Sequence, residues 1–223
     1  MTTLFLVRHG LTAQTGRILY GRTLGIPLDH RGTAQAAELV GRFEGIRVTA
    51  IYSSPLERCV QTVEPLGAAR RLAVRHDPAL LEMDAGAWTG RTLGQLRRLK
   101  AWRTVQETPS AFVFPGGGEA FADAQSRAVA GVERIARRHR NGRVVVATHG
   151  DIARIVLAHY AATPLDEFQR IVIDTAAVSV LQLGGPRPHV VLVNDTGGLD
   201  RFREDTPAPW ETAVTRNGRK LRG

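Results

Sequence analysis

The sequence predicts an α/β fold, a three-layer α/β/α sandwich around a mostly parallel central sheet. Two observations carry that expectation. Apolar, β-forming runs alternate along the chain with stretches of helical spacing, the pattern of parallel strands joined by crossover helices. Two of the runs, Leu4-Phe5-Leu6-Val7 and Val144-Val145-Val146-Ala147, are continuous, as strands buried on both faces are. Both runs also end alike, the first in Arg8-His9-Gly10 and the second in Thr148-His149-Gly150. If the two strands lie parallel, two imidazoles stand side by side at the carboxyl rim, where open α/β sheets bind ligands.

After the first strand, the loop of 11–29 carries Thr12, Thr15, Gly16, Tyr20, Gly21 and Arg22. It is longer than a connector needs, and long ordered loops carry function. Asp29 fits the cap of a helix over about 30–44, with Ala36, Leu39, Val40 and Phe43 at helical spacing and Gly45 ending it. Thr49 to Ser53 reads as the second strand. Ser54-Pro55-Leu56-Glu57 then fits a capping box, with Ser54 as cap and Pro55 at the first helical position. Arg58 falls in the first turn of that helix. The macrodipole disfavours a cation there, so an anion beside it would explain it.

Leu72-Ala73-Val74 reads as a third strand, followed by Leu80-Leu81-Glu82 and a loop with two spaced glycines that runs to Gly90. Leu93 to Val105 has helical spacing and a basic face. The stretch from Thr108 to Gly118, with Pro109, Pro115 and three glycines, reads as a loop or lid. Phe121, Ala124, Ala128, Val132 and Ile135 mark a long helix ended by Asn141-Gly142. The strand of 143–148 follows, then a helix over about 151–161. Strands over 176–183 and 190–193 are joined by Gly184-Gly185-Pro186, a turn so short that they must pair antiparallel. No repeat or second core appears. One domain over 1–199 is expected, with 200–223 a C-terminal tail, mobile or draped on the surface, and Trp210 its candidate anchor.

The chain has 223 residues, and its one cysteine, Cys59, excludes an intrachain disulfide and a cysteine-based zinc site. No 18-residue apolar run and no signal-peptide pattern appear, so a cytoplasmic protein without membrane attachment is expected. The 30 basic residues give a net charge of +9, and only Lys100 and Lys220 are lysine. The arginines are scattered, and no helix-turn-helix, zinc finger or aromatic RNA-binding signature accompanies them. They read as a solvated surface whose field favours an anionic small substrate, not as a nucleic-acid interface. Cys59 has Pro65 six residues on, where a Cys-x5-Arg phosphatase loop needs arginine. No P-loop and no His-Glu-x-x-His zinc motif occurs.

Four pieces, in order, resemble the histidine phosphatase superfamily, also called the phosphoglycerate mutase-like family. They are Leu6-Val7-Arg8-His9-Gly10, Ser53-Ser54-Pro55-Leu56-Glu57-Arg58, the Glu82–Gly90 loop and Thr148-His149-Gly150, and the resemblance covers about residues 1–195. It implies a sheet of about six strands. It implies a phosphomonoester hydrolase acting on a small phosphorylated metabolite, with His9 as the nucleophile that becomes a phosphohistidine. Arg8, Arg58 and His149 then bind the transferring phosphoryl group, and Glu82 acts as acid and base. Rigid arginine forks suit three phosphoryl oxygens better than lysines. With Arg8, Arg58 and His149, the residues Gly10, Thr15, Gly21, Arg22 and Gly150 are expected in the substrate site. No metal or other cofactor is expected, and a homodimer is left open.

The sequence departs from the family where Leu11 replaces a usual Glu and Thr15 stands where Asn is common. Gly118-Glu119-Ala120 replaces Gly-Glu-Ser, and Glu119 reads as a helix-start charge. The Glu-Arg-His-Tyr-Gly stretch and the arginine pair of the mutases are absent, which favours hydrolysis over phosphoglycerate isomerisation. Mutase-type transfer and non-catalytic phosphate binding are the alternatives. Tyr20-Gly21-Arg22-Thr23 with Ile26-Pro27-Leu28 looks like the phosphatases that act on a ribazole phosphate.

Overall fold

The structure, a computed structural model, describes residues 1–203. Its strands are β1 (Thr2–Arg8), β2 (Ala50–Ser53), β3 (Val74–His76), β4 (Arg143–Thr148), β5 (Val178–Leu183) and β6 (His189–Asp195). Its helices are α1 (His30–Arg42), α2 (Glu57–Arg70), α3 (Leu93–Leu96), α4 (Lys100–Glu107), α5 (Phe121–Arg138) and α6 (Gly150–Tyr160). The six strands form one sheet in the order β3-β2-β4-β1-β5-β6. β1 and β2 each pair parallel to β4, β3 pairs parallel to β2, and β5 alone runs the other way. The expected α/β sandwich with a mostly parallel sheet is what forms.

Side-chain alternation explains the three layers. Leu4 and Leu6 of β1, with Val144 and Val146 of β4, pack into a core with α5 and α6. Phe5 and Val7, with Val145 and Ala147, pack into a second core with Leu39 and Phe43 of the first helix region and Val63 and Leu66 of α2. Successive strand residues point to opposite faces, so a strand covered on both sides must be apolar throughout. Removing such side chains from water stabilises the fold by about 1.5–3 kcal/mol each.

The register then sets the site. β1 and β4 are paired so that Arg8 lies opposite Thr148. The next residue of each strand, His9 and His149, leaves the sheet at the same height.

Several boundaries differ from the sequence reading. Asp29 caps α1 through the Gly32 amide, as expected. The Ser54 capping box does not form: α2 begins at Glu57, its cap position is Leu56, and no side chain caps it. The Ser54 hydroxyl is drawn to His149 instead. The third strand is Val74–His76, not 72–74, because the chain must first turn through Arg71 in the left-handed region. The helix expected over 93–105 is two, α3 closed by a Thr92/Gln95 capping box and α4 after it. The 108–118 stretch is pinned by its aromatics: Phe112 and Phe114 pack against Trp88 and Phe121 in tilted and edge-on contacts. Residues 199–203, partly assigned to a tail, continue the fold, with Leu199 and Phe202 buried in the α1–α2 core. The rest of the tail, including Trp210, lies outside the described residues.

Candidate active site

His9 leaves β1 with its amide donating to the Thr148 carbonyl at 2.9 Å. Its ring is 2 % exposed and lies 5.4 Å, centroid to centroid, from the ring of His149. His9 Nδ1 lies 2.8 Å from the Gly10 carbonyl. A carbonyl only accepts, so Nδ1 carries the proton and Nε2 keeps its lone pair. Burial, and then the positive charges of Arg58 and Arg8, push the ring pKa down to about 3. At neutral pH His9 is therefore an uncharged base with one free nitrogen.

Two arginines flank it. Arg8 ends β1 and donates from Nη1 to the Ile173 carbonyl at 2.6 Å. Gly150 makes room for it, since a Cβ there would lie 3.2 Å from Arg8 Nε. Arg58, in the first turn of α2, is 1 % exposed. Its Nη2 donates to the Gly21 carbonyl at 2.7 Å, and its guanidinium carbon sits 4.7 Å from the centroid of the Tyr20 ring. Gly21 thus contributes a carbonyl that holds Arg58, at a φ of 44° that favours glycine. The Nε atoms of both Arg8 and Arg58 are buried with no hydrogen-bond acceptor.

His149 is fully buried. Burial, then Arg58 and His9, hold its pKa well below the usual histidine range, so the ring is neutral before an anion arrives. Its Nε2 lies 2.8 Å from the Ser54 hydroxyl. Cys59 Sγ sits 3.4 Å from the same nitrogen and donates to the Thr148 carbonyl. Burial pushes the Cys59 thiol far up, so it stays protonated and packs as a small apolar group.

Glu82 closes the arrangement, its Oε2 4.0 Å from His149 Nδ1. Its Oε1 accepts from the Met83 amide at 3.0 Å. Burial, reinforced by the negative charge of Asp151, raises its pKa to about 7. A carboxyl poised there can give a proton and take it back near neutral pH.

The structure thus brings Arg8 and His9, Arg58, Glu82 and His149 together from four separate segments. It places the other candidates around them in supporting positions. The Gly10 amide is spent on the Thr62 hydroxyl, at 2.9 Å, and Thr62 in turn donates to the Arg58 carbonyl. The Thr15 hydroxyl lies 3.0 Å from both the Thr12 amide and the Thr12 hydroxyl, and 3.5 Å from the Tyr20 hydroxyl. Arg22, expected in the substrate site, is bonded to protein acceptors, with Nε donating to the Glu82 carbonyl at 2.8 Å and Nη2 to Glu119 at 3.0 Å. Sequence reasoning missed the roles of Thr62 and Ser54. Thr62 carried a signal, four residues after Arg58 and hence on the same helix face; Ser54 was masked by its resemblance to a cap.

Two open clefts of about 650 and 670 Å³ lie elsewhere, at the opposite ends of β1 and β4, and contain none of these groups. Among the described residues, no three His, Cys, Asp or Glu side chains cluster so as to hold a metal ion.

Known proteins share similarity with this chain in sequence and in fold. Phosphoserine phosphatase 1 of Hydrogenobacter thermophilus is 29% identical over 204 residues, spanning 91% of this chain and 96% of its own. The metal-independent phosphoserine phosphatase of Arabidopsis thaliana is 30% identical over 162 residues, 70% of this chain and 67% of its own. The solved structure of Bacillus stearothermophilus YhfR superposes with a TM-score of 0.82 at 31% identity, covering 87% of this chain and 98% of that one. The family model described as histidine phosphatase superfamily (branch 1) matches residues 4–196. With both paired imidazoles inside that match, the chain belongs to the histidine phosphatase superfamily.

Proposed function

We propose that the protein hydrolyses small phosphomonoesters by way of a phosphohistidine at His9. One observation carries the reading: a buried imidazole whose Nδ1–H is fixed on the Gly10 carbonyl, leaving Nε2 unprotonated within the field of Arg58 and Arg8. Nothing in folding alone calls for an uncharged base among guanidiniums, whereas an incoming phosphate dianion does.

In the first step His9 Nε2 attacks phosphorus, and the P–N bond forms as the ester P–O bond breaks. Arg8, Arg58 and the His149 N–H take the charge on the three non-bridging oxygens. The Glu82 carboxyl gives its proton to the leaving oxygen. In the second step the Glu82 carboxylate removes a proton from water, the water oxygen attacks phosphorus, and the P–N bond breaks to release inorganic phosphate. Similarity to two phosphoserine phosphatases makes phosphoserine the first substrate to try.

The test is a panel of phosphomonoesters, phosphoserine, sugar phosphates, phosphoglycerates and a ribazole phosphate among them, assayed for phosphate release with wild type and His9→Ala. Wild type is expected to release phosphate from at least one of them and His9→Ala from none, a loss of at least about 10³-fold. Equal rates for the two proteins would overturn the proposal.

A further inference from the structure

Glu82 sits on a segment that no strand supports. The backbone of residues 79–82 pairs with no neighbour in the sheet, yet each of its four carbonyls is met by a side-chain donor. Arg127 Nη1 donates to the Ala79 carbonyl at 2.8 Å and to the Leu81 carbonyl at 3.0 Å. The Thr148 hydroxyl donates to the Leu80 carbonyl at 2.9 Å. Arg22 Nε donates to the Glu82 carbonyl at 2.8 Å. Three of these four bonds come from two arginines, and both arginines converge on Glu119.

Arg127 forks onto that carboxylate, Nε to Oε1 and Nη2 to Oε2, each at 2.8 Å. Arg22 Nη2 reaches Oε2 at 3.0 Å. The Glu119 side chain is 14 % exposed. Burial pushes its pKa up, but Arg127 and Arg22 more than offset this and keep it ionised. Its own amide donates to the Asp84 carbonyl at 2.9 Å, which ties the brace to the same loop on the far side of Glu82. The hydrogen bonds and ion pairs of the Glu119 carboxylate go to Arg127 and Arg22, not to His9, His149, Arg8 or Arg58. A carboxylate that served only to start α5 would need neither a bidentate partner nor a second arginine from a loop nearly a hundred residues away.

We propose that Glu119 is a positioning residue for Glu82. By fixing the two arginines that cap residues 79–82, it sets where the Glu82 carboxyl stands relative to the leaving oxygen. This rests on the assignment of Glu82 as the proton donor, and it adds a residue that acts through Arg127 and Arg22.

The experiment compares wild type, Glu82→Gln, Glu119→Gln and the double variant on two aryl phosphates, p-nitrophenyl phosphate and phenyl phosphate. A poorly placed proton donor slows the poorer leaving group more. Glu119→Gln is expected to lower phenyl phosphate turnover about ten- to a hundredfold and p-nitrophenyl phosphate turnover far less. In the double variant, adding Glu119→Gln to Glu82→Gln is expected to cost nothing further, because the group it positions is already gone.

Equal losses on both substrates, no loss on either, or a full second loss in the double variant would each overturn the positioning role. If Glu82→Gln itself shows no leaving-group discrimination, the assignment of Glu82 fails first, and that outcome is read in a separate arm. Should Glu119→Gln not fold, Arg127→Lys keeps the charge but cannot both fork onto Glu119 and bridge the Ala79 and Leu81 carbonyls, and the same selective loss is expected. Its absence there would overturn the proposal equally.

Discussion

Two groups of the site are shifted far from their ordinary values, and their opposite shifts define a working pH range. His9 is neutral above about 3, and Glu82 holds its proton below about 7. The first chemical step needs both conditions, so kcat/KM is expected to be highest between these values and to fall as pH rises through about 7. Glu82→Gln is expected to flatten that upper limb as well as slow the reaction. An unchanged limb in the variant would assign it to another group. The same shift acts on stability. The Glu82 pKa is raised above its unfolded value, so its contribution to folding is fully present below about 4.5 and is lost as pH rises through about 7. Glu82→Gln is therefore expected to match wild type in thermal stability near pH 4.5. At pH 8 it is expected to exceed wild type, by at most about 3 kcal/mol. A variant no more stable than wild type at pH 8 would contradict the burial of that charge. For His9 the sign is reversed: its lowered pKa stabilises the fold above about 6.5, and that contribution is lost as pH falls toward about 3.

At the scale of elements, what was legible in the sequence was what depends on local pattern. The two continuous apolar runs located β1 and β4, because a strand covered on both faces has no polar side to show. Their matched endings located His9 and His149. Asp29 identified the start of α1, and Asn141-Gly142 the end of α5, where Asn141 adopts a φ of 61°. What was not legible depended on tertiary competition. Ser54 has the local chemistry of a cap, but the buried imidazole of His149 is the stronger demand on its hydroxyl. Arg22 and Glu119 have the chemistry of a phosphate ligand and a helix-start charge, and their pairing across 97 positions has no periodicity to betray it. The start of α6 offers a test of how tightly the elements fit. Gly150 is the position where any side chain would press on Arg8 Nε. Gly150→Ala is expected to raise KM about tenfold, through a displaced Arg8, with a smaller effect on kcat. A wild-type KM in this variant would mean that Arg8 does not set phosphate affinity.

Across the whole molecule, the site is a product of topology. The chain crosses from β1 outward to β2 and β3, returns through α5 to β4, and passes on to β5, so the active rim lies where neighbouring strands connect in opposite directions. Segments as distant as residues 8, 58 and 149 meet there, and in the proposed mechanism Arg8 and Arg58, with a donor from His149, stabilise the phosphoryl group in transfer. Phosphatase activity is accordingly expected to survive EDTA unchanged. Inhibition that added divalent metal reverses would contradict the assignment of that role to side chains. The net charge of +9 adds a field that favours anionic substrates, and it predicts a KM that rises with ionic strength.

The central claim, that His9 is covalently phosphorylated during turnover, is tested most directly by trapping the enzyme. Wild type mixed with its best phosphomonoester, quenched in base to preserve acid-labile P–N bonds and digested, is expected to carry one phosphoryl group on the peptide containing His9, and on the Nε2 nitrogen. Rapid turnover with that peptide unmodified, or with the phosphoryl group on another residue, would contradict it.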